Sequence, residues 1–484
     1  MSVPARRCSI GVLPFAAVLP VALSLAATTA APFGASNAAD TASTATPSPH
    51  AAPSPLATIA RLGGPATVAV EGLHAFSLAA PGLPAKHRRA FSVGNAFFRD
   101  NWVIAPASAE GRDGLGPLFN ANSCSACHME DGRGTVPLEG EVGLGVVVFL
   151  SPREADGEPH PTYGAQLHDQ AIPGVEPEAR LRLDPVTIPG RYSDGTSYEL
   201  TRWDLAFENP AYGPLDDVRH SMRVGQQLVG VGLLEAIDDG TLLAMEDPDD
   251  RDGDGISGRA HRVVGADGTV GLGRFGWKAS QPTLEAQVIA ALHEDLGITS
   301  PTRPHEAATS VQSAALAAPS GGLPEIDDHK IGRLAHYCRV LAVPAQRRVG
   351  DLKVEQGREL FAATGCTACH VPELRTGANT PIEAFREVVI RPYTDLLLHD
   401  LGEGLADDRR DGEASGREWR TPPLWGLGLL KVVNPDARFL HDGRAATIEE
   451  AILWHGGEAE ASRARFMQLD ADERAALLAF LESL

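Results

Sequence analysis

Ser123-Cys124-Ser-Ala-Cys127-His128 and Gly365-Cys366-Thr-Ala-Cys369-His370 are the two stretches from which the rest of the chain is read. In each, two thiols stand three positions apart and a histidine follows the second directly. This spacing suits c-type haem attachment: the thiols bond the two vinyl groups on one porphyrin edge, and the adjacent imidazole turns under the iron as proximal ligand. Two other chemistries use paired cysteines. A zinc centre would have to draw together pairs lying half the chain apart, whereas tight zinc modules use much shorter separations. A redox dithiol sits beside a βαβ pattern, which is not evident here, and does not need the histidine. The motifs therefore predict two covalently bound haem c groups, held by Cys124 and Cys127 with His128 on one iron, and by Cys366 and Cys369 with His370 on the other.

Outward from the motifs, a weak repeat suggests two related units. Leu118-Phe119 precedes Cys124 by the same distance as Leu360-Phe361 precedes Cys366, as if a helix before each motif packed on the porphyrin edge. Thr447-Ile-Glu-Glu450 and Asp470-Ala-Asp-Glu473 have the pattern of helix-start capping ahead of apolar runs. Strand signals are sparse, Val142 to Leu150 being the clearest. With 50 Gly and 36 Pro among 484 residues, the expectation is a mainly α molecule of two cytochrome c-like haem domains with long loops, the N-terminal one elaborated by insertions. The boundaries read as 61–340 for the N-terminal haem domain and 341–484 for the C-terminal one.

Arg6 and Arg7, an apolar run from Ile10 to Ala27 and small residues to Ala38 have the layout of a secretory signal over 1–38. Residues 39–60, mostly Ala, Thr, Ser and Pro, read as a disordered linker. Pro14 and Pro20 interrupt the apolar run and no comparable run follows, which argues against a stable membrane anchor. The expected location is periplasmic or otherwise exported. A formal net charge of −21 disfavours nucleic acid and anionic membrane surfaces, and would steer a positively charged partner well.

Asp250-Arg-Asp252-Gly-Asp254-Gly alternates carboxylates and places glycine where a cation loop turns sharply. Position 12 of that loop is His261 rather than Glu, which argues against a complete EF-hand. A looser Ca²⁺ site on Asp250, Asp252 and Asp254 and a plain acidic turn both remain open.

Several further segments resemble the di-haem oxidoreductase family, which is distantly similar to bacterial di-haem cytochrome c peroxidases. They are Arg112-Asp-Gly-Leu-Gly-Pro-Leu-Phe-Asn120, Asp131-Gly-Arg-Gly134, Gly232-Leu-Leu-Glu-Ala-Ile237, Gly273-Arg-Phe-Gly-Trp-Lys-Ala279, Glu418-Trp-Arg-Thr-Pro-Pro-Leu-Trp425, Leu440-His-Asp-Gly-Arg444 and Trp454-His-Gly-Gly-Glu458. The resemblance covers most of the chain from about residue 70. It implies an oxidoreductase that reduces a small-molecule oxidant such as peroxide at one haem, with electrons from a redox protein passed through the other. A non-catalytic di-haem electron-transfer protein is the alternative.

Peroxide cleavage needs a group that moves a proton between the two oxygens, and Glu235, in an otherwise apolar stretch, is the candidate; a structural carboxylate is its other reading. Trp277 is the candidate electron relay between the haems, or else a core aromatic. The related peroxidases carry a methionine just before a His-Asp-Gly segment, where this chain has Leu440. Leucine cannot bind iron. A histidine is then expected as sixth ligand of the C-terminal haem, with His441 preferred over His455 and His399.

Overall fold

The computed structural model describes residues 55–109, 111–136, 145–265 and 268–484. The signal read over 1–38 and most of the linker lie outside the described residues, and the linker's last residues, Pro55–Ala60, form a short helix. Residues Pro53–Leu484 make one compact unit.

The first motif rests on three helices. Ala85–Arg99 and Asp328–Arg339 cross in contact, which Gly94 permits because a Cβ there would run into the Arg333 carbonyl. Leu284–Leu296, opened by the Thr283 cap on the Ala286 amide, completes the layer. Phe98, Trp102, Leu292, Leu296, Ile331 and Leu334 are buried between them, and Cys124 packs on this cluster.

The second motif follows the helix Leu352–Ala363, which lies along the closing helix Ala471–Ser483. Gly357 makes that approach possible, since a Cβ would meet the Ala476 carbonyl. The expected caps are both present. Thr447 accepts the Glu450 amide at the start of Ile448–Leu453, and Asp470 and Glu473 form a reciprocal capping box.

The expectation of a mainly α molecule built from two cytochrome c-like domains is overturned. Helix accounts for 31% and strand for 18%, the strands being distributed over several small sheets. Val146–Pro152 is the centre of an antiparallel sheet with Gln166–Leu167 and Val218–Val224. Arg180–Arg191 and Ser197–Glu208 form a long two-stranded hairpin. Its sequence hides it: Pro185, Pro189 and Gly190 interrupt the first strand, and neither face is continuously apolar. The hairpin tip reaches the C-terminal helices, where the Tyr192 hydroxyl donates to Glu449 at 2.6 Å and Arg474 to Asp194 at 2.7 Å.

The repeat around the motifs is also only half structural. Leu360-Phe361 lies in a helix, but Leu118–Phe119 is a short strand paired with Gln170–Ala171. Gly114, Gly116 and Pro117 ahead of it favour extended chain over helix. Among the described residues no helix is long and apolar enough to cross a membrane.

Candidate functional site

Helix Leu352–Ala363 ends at Thr364, whose hydroxyl donates to the Leu360 carbonyl at 2.8 Å. Gly365, at φ +87°, turns the chain into the Cys366–Ala368 turn. His370 follows with its amide on the Cys366 carbonyl and its Nδ1 2.9 Å from the Tyr393 carbonyl. Donation from Nδ1 fixes the tautomer and leaves Nε2 with its lone pair free for a metal. Burial pushes the imidazole down to about 4, with the nearby His455 acting in the same direction, so it is neutral.

Cys366, Cys369 and His370 open on a cavity walled mainly by apolar side chains. Phe361, Leu401, Leu405, Leu427, Leu477 and Leu481 supply apolar walls. Arg133, Arg274 and Arg463 also line it, and the Nε of each is buried without a partner. A buried orphan donor is costly unless a ligand acceptor meets it. An apolar slot with a Cys-x-x-Cys-His edge and arginine Nε donors left without a partner fits a haem, which presents a flat apolar face and two propionate carboxylates.

Three further histidines line this cavity. His399 is locked: one ring nitrogen is 2.9 Å from Asp395 and the other 2.7 Å from Glu458. Burial opposes its charge, but the hydrogen bonds with Asp395, Cys369 and Glu458 hold its pKa well above the usual histidine value. His441 lies flat on Trp419, ring centroids 3.6 Å apart. Burial, with Arg444, Lys278, Arg223 and Arg133 around it, keeps it neutral. His455 is half-buried, with Nδ1 2.8 Å from the Ala451 carbonyl. Leu440, at φ +67°, lines the cavity too, while Met467 packs into the core and is not on its wall.

The first motif forms the helical turn Cys124–Cys127, and none of the described cysteines is in a disulfide. Burial raises the Cys124 thiol to about 12. His128 is half-buried and its pKa is lowered by burial, with Nδ1 3.4 Å from the Gly132 carbonyl. Gly225 abuts the ring; a Cβ there would stand 3.1 Å from Cε1.

Asp131 and Arg133, drawn from one quoted segment, serve different motifs. The Tyr337 hydroxyl donates to the Asp131 carboxylate at 2.8 Å beside the first motif. Burial lifts Asp131 to about 6, against the hydrogen bonds from Ser77 and Tyr337. Arg133 reaches the second cavity and donates to the Leu440 carbonyl at 2.8 Å. Tyr337 was missed in the sequence because no local pattern announces a partner two hundred residues away.

Trp277 lines the cavity, donating Nε1 to the Val224 carbonyl at 2.8 Å, with Arg133 over its ring at 5.0 Å. Val224 adjoins Gly225, so Trp277 stands between the second cavity and the first motif. Glu235 is placed otherwise. Its carboxylate pairs with Arg339 and accepts the Leu284 amide at 2.9 Å, away from the cavity wall. Asp250, Asp252 and Asp254 do come together, with ligand oxygens all within 4.8 Å.

A family model described as di-haem oxidoreductase, putative peroxidase, matches residues 57–145 and 212–484, which include both motifs. The long hairpin lies in the unmatched stretch between them. No curated protein matches the chain.

Proposed function

Because the chain belongs to the di-haem oxidoreductase family, we propose that it is an exported di-haem c-type protein that reduces a peroxide at one haem with electrons passed through the other. The observation that carries this reading is the cavity at the second motif: a half-buried histidine with Nε2 free, two thiols at one edge and three unpaired arginine Nε groups on the walls. When bound, haem iron supplies the one-electron steps by which peroxide takes up two electrons and two protons to give water.

The remaining work falls to the chain. Cys124, Cys127, Cys366 and Cys369 fix the porphyrins, His128 and His370 present Nε2, and Arg133, Arg274 and Arg463 orient carboxylates. Trp277 spans the ground between the two motifs and is the proposed relay. Glu235 is already committed to Arg339 and Leu284, so it acts here as a brace rather than as the proton carrier. Asp250, Asp252 and Asp254 hold one Ca²⁺ in this proposal, and the electron donor is a redox protein with a basic docking face, matched to the acidity of the chain.

Intact mass and haem staining test the attachment: replacing Cys124 and Cys127 with Ala halves the stain of the denatured chain, and an unchanged stain removes the first site. The rival electron carrier predicts only low-spin iron at rest. The enzyme predicts a high-spin fraction that binds cyanide.

A further inference from the structure

Resting on the two-haem reading, we infer that His455 is the second protein ligand, with His370, of the iron in the haem attached at Cys366 and Cys369, making that haem a bis-histidine centre. The cavity wall restricts the choice. Leu440 has no ligand atom, and none of Met129, Met222, Met245 and Met467 lines the cavity. That leaves His399, His441 and His455.

His399 is excluded because both of its nitrogens are engaged by carboxylates, so binding iron would strip a buried ion pair. His441 is held differently. Its ring lies 13° from parallel on Trp419, with Trp277 at its edge, and its carbonyl accepts the Val224 amide next to Gly225 and the His128 ring. It belongs to the end of the cavity that faces the first motif.

His455 repeats the arrangement of His370. Each ring donates Nδ1–H to a backbone carbonyl, that of Ala451 at 2.8 Å and that of Tyr393 at 2.9 Å, and each keeps Nε2 without a partner. A metal-binding histidine is characteristically oriented by such a bond. The short helix Ile448–Leu453, which ends just before His455, also sends Ile448, Ala451 and Ile452 to the cavity wall.

Low-temperature EPR and near-infrared magnetic circular dichroism on the full-length holoprotein test this. The wild type should show one bis-histidine haem and no methionine charge-transfer band. His455→Ala should convert one of the two haems from low to high spin, reversibly on adding imidazole, and His455→Met should introduce the methionine band and raise the reduction potential of that haem. His441→Ala should leave the ligation unchanged. The assignment is overturned if the wild type shows the methionine band or no bis-histidine signal, or if loss of low-spin iron follows His441 instead. Fewer than two haems on the wild-type chain by intact mass would overturn the two-haem reading itself, which distinguishes the two failures.

Discussion

Trp277 meets His441 edge to face, ring centroids 6.5 Å apart and 74° between the ring planes, at the point where the second cavity approaches the first motif. Trp277→Phe keeps an aromatic ring but loses the hydrogen bond to Val224, at a cost of about 1 kcal/mol. Both haems should remain attached and the fold intact, while stopped-flow transfer of electrons from one haem to the other slows several-fold. Unchanged transfer with the same small loss of stability would return Trp277 to a packing role.

Glu235 and Arg339 form an ion pair with side chains only 16% and 12% exposed. Removing one partner leaves the other charge poorly solvated, so Glu235→Gln should lower stability by up to about 3 kcal/mol in chemical denaturation. Peroxide turnover by the folded fraction should persist. A large fall in turnover with stability unchanged would restore the proton-carrying role suggested by the sequence.

The acidic loop bends at Asp250, φ +46°, and the Gly255 amide donates to its side chain at 3.1 Å. Calorimetry of chelator-stripped protein should record one Ca²⁺, abolished by Asp252→Asn with Asp254→Asn. At a hundredfold excess over Kd the ion adds about 2.7 kcal/mol of stability. No heat at millimolar Ca²⁺ would leave an acidic turn.

His168 is buried against Glu178, 3.2 Å away, and its other nitrogen lies 2.9 Å from the Glu294 carbonyl. Burial works to discharge it, but the attraction of Glu178 and the hydrogen bonds carry its pKa up to about 9. In the unfolded chain it titrates near about 6.5. The folded state therefore binds the proton more tightly, and the stabilisation is complete below about 6.5 and lost as pH rises through about 9. Denaturation midpoints should fall across that window, and His168→Gln should flatten the slope.

What the sequence made legible was local. The Cys-x-x-Cys-His spacing pointed to two haems, as the family description does, and the caps at Thr447 and Asp470 involve residues three apart, so both could be read without the fold. The long hairpin went unread because the alternation in Arg180-Leu-Arg-Leu-Asp184 and Trp203-Asp-Leu-Ala-Phe-Glu208 is short and is broken by Pro185, Pro189 and Gly190. Residue roles that depend on distant partners were hidden as well. His399 looked like a ligand until Asp395 and Glu458 closed on it, and Glu235 looked available until Arg339 did. His455 lay in a quoted segment, but only the Ala451 carbonyl and the cavity wall separate it from His441.

Anaerobic titration of the fully reduced protein with hydrogen peroxide decides whether the two haems act together on peroxide. Two ferrous haems hold two electrons, the number one peroxide needs to become two waters. A single equivalent should return both haems to the ferric spectrum. Persistence of the reduced spectrum of both haems in excess peroxide would make the protein an electron carrier and rule out peroxide reduction.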